Sequence, residues 1–396
     1  MSRQSGSQRL FCSMRLHILK PNVCLNVGRR MASSGASKTR HALPIDPSAL
    51  PRGFVATGVH SGVKKNASML DLGLVLSTAP ASQTSSAACF TRNAFKAAPV
   101  NVSADVLEKS SGRARAIVVN SGCANAVTGK QGLSDAWAMS HATDMLLDGG
   151  GAGTLVMSTG VIGQNLPIAR ILSGIESASS SLGSSPDHWE RVARAFMTTD
   201  TFPKIRSRTF DLGGSSSPVR ILGIDKGAGM IHPNMGPAPA ILPMHATLLG
   251  LFATDARVSP RSLQSALTYA VDRSFNSISV DGDMSTNDTI VALANGEAGG
   301  IEVDEQKTPK EYELFKTELT DFAIELAQLV VRDGEGATKF VTISVHVRQM
   351  CCACRSFSHA GLREPHRTQM RIVLLPQYLL LRWSKRLFSG RMLSLY

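Results

Sequence analysis

A threonine in an apolar segment is the residue whose position most directly suggests chemistry. Thr247 lies between His245-Ala246 and Leu248-Leu249. It either fills space in the core, which is the commoner role of a buried threonine, or uses its hydroxyl group. Cleavage of the Ala246–Thr247 bond would leave a free α-amine beside that hydroxyl, and such a threonine can act as a nucleophile with its own amine as the general base.

A second segment carries groups suited to stabilising a negatively charged oxygen. Residues 155–163 (Leu-Val-Met-Ser-Thr-Gly-Val-Ile-Gly) form an apolar, strand-like run that is interrupted by Ser158-Thr159-Gly160. A hydroxyl group and backbone amides at the end of a strand can donate hydrogen bonds to a developing oxyanion. The alternative interpretation is a tight turn that needs glycine for its backbone angles.

Three further polar segments are predicted to follow helices or strands. They are residues 197–201 (Met-Thr-Thr-Asp-Thr), 226–235 (Lys-Gly-Ala-Gly-Met-Ile-His-Pro-Asn-Met) and 332–339 (Arg-Asp-Gly-Glu-Gly-Ala-Thr-Lys). The glycines of the second segment lack the Gly-Lys-Ser/Thr or Rossmann spacing that a phosphate-binding loop requires. A phosphate-binding loop is therefore rejected for this segment.

Together these segments resemble the ornithine acetyltransferase family, the bifunctional glutamate N-acetyltransferases of arginine biosynthesis. The resemblance also covers residues 53–59, 120–126 and 272–289, with the motifs in the same order as in the family. It extends from about Leu43 to about Val345. The members that this sequence resembles are mitochondrial fungal enzymes.

The resemblance implies the layered α/β fold of this family and a self-processing enzyme with an N-terminal threonine nucleophile. Thr247 would be the nucleophile and Ala246–Thr247 the bond that is broken by self-cleavage. Cleavage would give an α chain that ends at Ala246 and a β chain that begins at Thr247; the family domain would comprise residues 41–246 of the first and a truncated part, residues 247–345, of the second. An acetyl group would pass from N-acetylornithine to Thr247 and then to glutamate, the acceptor.

The same resemblance assigns the remaining groups of the site. Thr159 and Gly160 match the pair that forms the oxyanion hole. The substrate-binding residues would be Thr198, Thr199, Lys226, Thr247 and Glu335. Lys226 would contact a carboxylate and Glu335 the charged amine of an amino-acid substrate. Of the two adjacent threonines, Thr199 is preferred as the one that faces the pocket, although the sequence does not decide between them.

The partners that the resemblance implies are small-molecule amino acids, together with assembly into a heterotetramer of two α and two β chains. No cofactor and no metal are expected. Whether acetyl-CoA also serves as a substrate, the second half of a bifunctional role, is left open by the sequence.

The sequence departs from the family pattern in two places. Ten residues, 236–245, separate the Pro-Asn-Met motif from Ala246, whereas the family motif continues directly into Ala-Thr. After Val345 the pattern is lost, and residues 346–396 are predicted to be a non-family tail that does not pack natively. The cysteines and histidines of this tail have no standard spacing for zinc ligands, so no metal site is assigned there.

Two alternative functions stay open. An N-terminal-nucleophile aminopeptidase or amidase of related fold would use the same threonine but would hydrolyse the acyl-enzyme with water. The pairing of Lys226 with Glu335, as binders of an amino acid, argues against it. A catalytically inactive, truncated product is the other alternative, which the divergent tail favours.

The charge of the chain is unevenly distributed, and its average of +12 is misleading. Residues 1–40 contain eight basic residues and no acidic ones, and residues 346–396 contain nine basic residues and one acidic residue. Residues 41–345 therefore hold 25 basic and 29 acidic residues, a net charge of −4. This region has no basic stripe with interleaved aromatic residues, so binding to nucleic acid is not expected.

The first forty residues have the composition of a mitochondrial transit peptide. They are rich in arginine and serine, and apolar and basic positions alternate along them. No apolar run in residues 41–345 is long enough to span a bilayer, so no membrane association is predicted. The expected location of the protein is the mitochondrial matrix. With only Cys89 and Cys123 in the central region, no disulfide framework is expected.

The elements that must position these groups alternate between strands and helices. Residues 114–120 predict a buried strand, and residues 133–148 predict a helix with Ser134 as its N-cap. Ser259-Pro260 and Thr308-Pro309 each predict the start of a further helix, because proline suits the first helical position. The class is therefore α/β or α+β, and the detailed architecture is taken from the family resemblance.

Overall fold

A computed structural model describes residues 38–147, 153–213, 218–237, 248–338 and 340–342. Within these ranges there are ten β-strands and six α-helices. The strands are β1 (Phe54–Val59), β2 (Leu72–Ser77), β3 (Ser85–Thr91), β4 (Ala116–Cys123), β5 (Thr154–Val161), β6 (Lys204–Phe210), β7 (Val219–Lys226), β8 (Met235–Gly236), β9 (Leu249–Thr254) and β10 (Thr289–Ala294). The helices are α1 (Ala98–Lys109), α2 (Gly129–Asp144), α3 (Ile168–Ala178), α4 (Pro186–Phe196), α5 (Pro260–Arg273) and α6 (Pro309–Asp333).

The strands form two mixed sheets. The four-stranded sheet has the order β1-β2-β4-β5, and the six-stranded sheet has the order β6-β7-β9-β10-β3-β8. In the first sheet β4 and β5 are parallel, and in the second β9 and β10 are parallel, whereas the other neighbours run antiparallel. The last residues of β7 pair with the first residues of β9, so Lys226 lies opposite Leu249.

The two sheets share one core. Alternate side chains of the six-stranded sheet, including Leu222 and Leu251, belong to the same apolar cluster as the four-stranded sheet. The side chains on its other face, including Ile221 and Phe252, pack with α5 and α6. Helices α1 and α4 contact strands of both sheets. This layered α/β arrangement confirms the predicted fold class.

The predicted elements are found, but the boundaries of two of them differ from the prediction. The strand predicted at residues 114–120 is β4 (Ala116–Cys123), the helix predicted at residues 133–148 is α2 (Gly129–Asp144), and the two proline-initiated helices are α5 and α6. The assignment of Ser134 as an N-cap is wrong, because α2 already begins at Gly129 after Thr128. Lys130 and Gln131 are good helix formers, but they extend the helix without adding to the apolar periodicity that guided the prediction.

Three of the predicted regions fall outside the described residues. They are residues 1–37 of the predicted leader (1–40), residues 238–245 of the inserted segment (236–245), and the whole predicted tail (346–396). No helix within the described ranges is both long enough and apolar enough to cross a membrane.

Candidate active site

Two buried polar side chains from different sheets meet at the centre of the candidate site. Thr159 lies near the end of β5 in the four-stranded sheet, and Lys226 is the last residue of β7 in the six-stranded sheet. The Lys226 ammonium donates a hydrogen bond of 3.3 Å to the Thr159 hydroxyl. The side chains of both residues are buried. The fold thus brings the predicted oxyanion-hole threonine and the predicted carboxylate-binding lysine into contact.

The Lys226–Thr159 hydrogen bond has a consequence for the Thr159 proton. A lysine ammonium can only donate, whereas a threonine hydroxyl has one proton and two acceptor lone pairs. Since Lys226 occupies a lone pair, the Thr159 O–H remains a donor for another acceptor. The positive charge beside the oxygen also makes this hydroxyl a stronger donor. The arrangement suits Thr159 to stabilise an oxyanion.

Glycine is required at position 160 because the backbone of β4 lies too close to leave room for a side chain. Its φ angle is +129°, in the region that favours glycine, and a Cβ atom there would lie 2.4 Å from the carbonyl carbon of Gly122. A second backbone atom, the nitrogen of Cys123, would lie at 2.6 Å. The Asn-Ser-Gly-Cys motif of β4 therefore packs directly against the predicted oxyanion segment.

Replacement of Gly160 by alanine is expected to lower the free energy of unfolding by more than about 2 kcal/mol, because strained dihedrals and a backbone clash would occur together. Gly163→Ala is the matched control. Gly163 also has a positive φ, +81°, but nothing lies within 4 Å of a Cβ built there. Its substitution should cost about 1 kcal/mol. Urea unfolding followed by far-ultraviolet circular dichroism measures both, and equal losses would contradict the proposed clash.

The described chain resumes one residue after the predicted nucleophile, and hydrogen bonds hold that first residue in place. Ala246 and Thr247 lie outside the described residues, and the described chain resumes at Leu248. The Leu248 N–H donates to the carboxyl group of Asp288, and its carbonyl oxygen accepts a hydrogen bond of 3.0 Å from the Thr289 N–H. The peptide groups of the residue that follows Thr247 are therefore fixed on both sides.

The predicted substrate-binding residues lie on segments that converge on Lys226. The backbone N–H of Glu335 donates to the carbonyl oxygen of Ala228 at 2.6 Å. A Cβ atom on Gly229 would lie 2.8 Å from a carboxylate oxygen of Glu335, so this side chain lies against the glycine segment that follows β7. Thr198 and Thr199 follow α4, and Thr198 is half-buried whereas Thr199 is exposed.

Buried carboxylates lie around Lys226, where these segments meet. The sequence did not identify them as site residues. Burial raises the pKa of Asp288 well above its usual range. Burial would also raise the pKa of Asp200, but the charges of Lys226 and Lys204 hold it below its usual value. For Lys226, burial lowers the pKa, and the charge of Asp200 opposes that shift. Asp200 and Asp288 were inside recognised motifs, so only their roles were missed.

Lys64 is a second residue that the sequence did not single out. Its ammonium donates to the carbonyl oxygens of Leu70 at 2.7 Å and Met197 at 2.8 Å. Burial lowers the pKa of Lys64 to about 8. The residue is therefore tied to the segment that carries Thr198, beside a site that already holds Lys226.

Cys123 lies in β4 near the site, but its surroundings do not suit a nucleophile. Burial raises the pKa of its thiol, which donates to the carbonyl oxygen of Gln164 at 3.0 Å. A reactive cysteine instead needs a lowered pKa, because the thiolate is the attacking form.

Comparison with known proteins agrees with the family resemblance that the sequence motifs indicate. Residues 55–360 match the ArgJ family. The match extends 15 residues beyond Val345, into the segment predicted to be a non-family tail.

Curated relatives cover most of the chain. The chain is 65% identical over 314 residues to "Arginine biosynthesis bifunctional protein ArgJ, mitochondrial" of Laccaria bicolor, and the alignment covers 78% of this chain and 67% of that protein. The protein of the same name from Cryptococcus neoformans is 56% identical over 326 residues, covering 79% of this chain and 67% of the relative.

Among solved structures, a Bacillus halodurans arginine biosynthesis bifunctional protein is 35% identical, with a TM-score of 0.43. It covers 49% of this chain and 97% of its own. An ornithine acetyltransferase of Mycobacterium tuberculosis, solved with ornithine, is 34% identical with a TM-score of 0.40, and covers 47% of this chain and 94% of its own.

Proposed function

The chain belongs to the ArgJ family, and we propose that it transfers an acetyl group from N-acetylornithine to glutamate in arginine biosynthesis, with Thr247 as the nucleophile. The observation that supports this function best is the buried contact between Thr159 and Lys226, beside the strand that begins just after Thr247. This contact brings together a hydroxyl that can donate a hydrogen bond to the oxyanion and an ammonium that can bind the substrate carboxylate. Acyl transfer between amino acids requires both groups in one site.

The first half-reaction acylates the threonine. The α-amine of Thr247, whose unperturbed pKa is about 7.7–8.0, accepts the hydroxyl proton while the oxygen attacks the acetyl carbonyl carbon. The Thr159 hydroxyl and the Gly160 N–H donate to the oxyanion that forms. The C–N bond to the ornithine nitrogen then breaks, and the proton held by the α-amine passes to that nitrogen as ornithine leaves.

The second half-reaction reverses these roles with a different amine. The α-amine of glutamate, in its uncharged form, attacks the ester carbon of acetyl-Thr247, and the same two donors stabilise the oxyanion. The C–O bond to the threonine oxygen breaks, and that oxygen recovers its proton as N-acetylglutamate forms. Water must be excluded at this stage, since hydrolysis would release acetate instead.

Substrate recognition follows from the charges around the site. Lys226 binds the α-carboxylate that ornithine and glutamate share, and Glu335 binds the charged amine of an ornithine substrate. Thr198 or Thr199 adds a hydroxyl donor, with Thr199 preferred. We infer no requirement for a cofactor. Whether acetyl-CoA serves as a second acetyl donor is tested by incubating the chain with glutamate and acetyl-CoA in place of N-acetylornithine.

The curated relatives indicate the cell compartment, because they are named mitochondrial. The protein is accordingly assigned to mitochondria, and we propose the matrix as its compartment and two α and two β chains as its assembly. A reporter fused to residues 1–40 that stayed in the cytosol would contradict the role of the leader.

The transfer assay tests the proposed function. Incubation of the full chain with N-acetylornithine and glutamate should release ornithine and form N-acetylglutamate in equal amounts, measured by mass spectrometry. Omission of glutamate should limit ornithine release to about one equivalent per site, because the acetyl group then stays on Thr247. Continued release without glutamate would favour the amidase, and a self-cleaved protein that releases no ornithine would favour the inactive product.

A further inference from the structure

A buried lysine that the proposed mechanism does not use lies behind the substrate site. Lys204, the first residue of β6, has no exposed side-chain surface. Its ammonium lies 2.6 Å from a carboxylate oxygen of Asp200 and 2.7 Å from one of Asp333, and both of these side chains are also fully buried. Burying three charged groups away from water costs free energy, and close pairing between opposite charges is needed to offset that cost.

The two carboxylates also hold backbone groups of three separate segments. Asp200 accepts hydrogen bonds from the N–H of Thr198 at 2.9 Å and from the N–H of Gly227 at 2.8 Å. Asp333 accepts from the N–H of Thr201 at 2.9 Å and from its hydroxyl group. Lys204 is therefore the centre of a network that joins the loop after α4, the turn after β7 and the end of α6.

Each of these segments carries a group that the proposed function assigns to substrate binding. Thr198 is itself held by Asp200. Lys226 directly precedes Gly227, which Asp200 also holds. Glu335 follows Asp333 by two residues, and its own N–H is bound to the segment after β7. The spacing between the hydroxyl, ammonium and carboxylate groups of the substrate site therefore depends on one set of buried charges.

We propose that Asp200, Lys204 and Asp333 are positioning residues that set the distance between the groups that bind the two ends of the amino-acid substrate. This inference rests on the proposed function and deepens it. An ornithine-like ligand has a carboxylate at one end and an ammonium at the other, so it is bound well only when the cation and the anion of the site are held at a fixed separation. Thr159 and Gly160 lie on β5 of the other sheet, where their backbone is held by β4 and not by this network.

The test replaces Lys204 by methionine and Asp333 by asparagine in the same full chain. This double variant removes one positive and one negative charge, so Asp200 keeps its charge and the net charge of the network does not change. We expect the Kd for ornithine, measured by isothermal titration calorimetry, to rise by about 30-fold, because misplacement of binding groups by about 1 Å is enough for such a loss. Self-cleavage, which needs no substrate, should keep its rate within about 3-fold.

Arg220→Met with Asp255→Asn is the matched control. This ion pair, with a distance of 3.2 Å between Nη1 and Oδ2, lies at the opposite end of β7 and is also mostly buried. It should lower the melting temperature as much as the first double variant without changing the Kd for ornithine. If the first double variant does not fold, Thr201→Val removes only the hydroxyl hydrogen bond to Asp333, and it should raise the Kd by about 5-fold.

The outcomes separate this inference from the proposed function. An unchanged Kd in the folded network variants, or an equal increase in the control, would overturn the positioning role while leaving the proposed function intact. If the unsubstituted chain binds neither ornithine nor glutamate, the proposed function fails, and the positioning role fails with it.

Discussion

Replacement of Thr247 by alanine is expected to leave a single chain of 42.2 kDa, whereas the unsubstituted chain should separate into two fragments. Self-cleavage begins when the threonine hydroxyl attacks the carbonyl carbon of Ala246, which converts the peptide bond into an ester and frees the α-amine. Water then hydrolyses the ester. Alanine has no hydroxyl group, so the first step cannot occur, and the loss of cleavage should be complete.

Denaturing gel electrophoresis and N-terminal sequencing measure this result. The smaller fragment should begin with Thr-Leu-Leu-Gly, the sequence from Thr247 onward. Thr254→Ala is a suitable control, since this buried threonine lies at the other end of β9 and donates to the carbonyl oxygen of Arg220. It should be cleaved like the unsubstituted chain. A soluble, folded sample that contains only the intact chain would contradict self-cleavage.

The hydrogen bonds of Leu248 supply a physical reason for cleavage at this position. Both peptide groups of Leu248 are fixed, by Asp288 on one side and Thr289 on the other. A chain that is anchored directly after the bond has fewer ways to move the reacting groups apart, which favours intramolecular attack.

Local sequence was sufficient to predict the elements but insufficient to predict the network behind the site. The starts of α5 and α6 were predictable because proline fixes a backbone angle that suits the first turn of a helix. Lys204 was missed because the segment Lys-Ile-Arg-Ser-Arg-Thr-Phe predicts an exposed, polar strand. Its burial depends on Asp333, which is 129 residues away in the sequence and has no local signal.

The contact between Thr159 and Lys226 illustrates the same limit. Each residue was identified from its motif, but the hydrogen bond joins residues that are 67 positions apart and belong to different sheets. Strand order and register decide which strand ends meet, and both are set by packing over the whole core. The family resemblance could therefore name the residues, whereas only the three-dimensional arrangement shows that the lysine charge acts on the threonine hydroxyl.

The role of that hydroxyl leads to a second large expected effect. Thr159→Val should lower kcat for ornithine release by about 10²–10³-fold, the usual loss when one oxyanion donor is removed. Valine has nearly the same shape as threonine, so the change removes the donor and the acceptor of Lys226 while the packing of β5 is kept. Self-cleavage should slow as well, because the same donor stabilises the oxyanion formed at Ala246.

The distribution of this effect between kcat and KM distinguishes an oxyanion donor from a substrate-binding group. The oxyanion exists only in the transition state and the intermediate, so KM should change by less than about 3-fold. Thr57→Val is the matched control: Thr57 is a fully buried strand threonine whose hydroxyl bonds to Ser181 at 3.1 Å, away from the site. Both variants lose one hydrogen bond, so their melting temperatures should fall by similar amounts, while only Thr159→Val should lose activity. A rise in KM at constant kcat would instead assign Thr159 to substrate binding, with Gly160 left as the oxyanion donor.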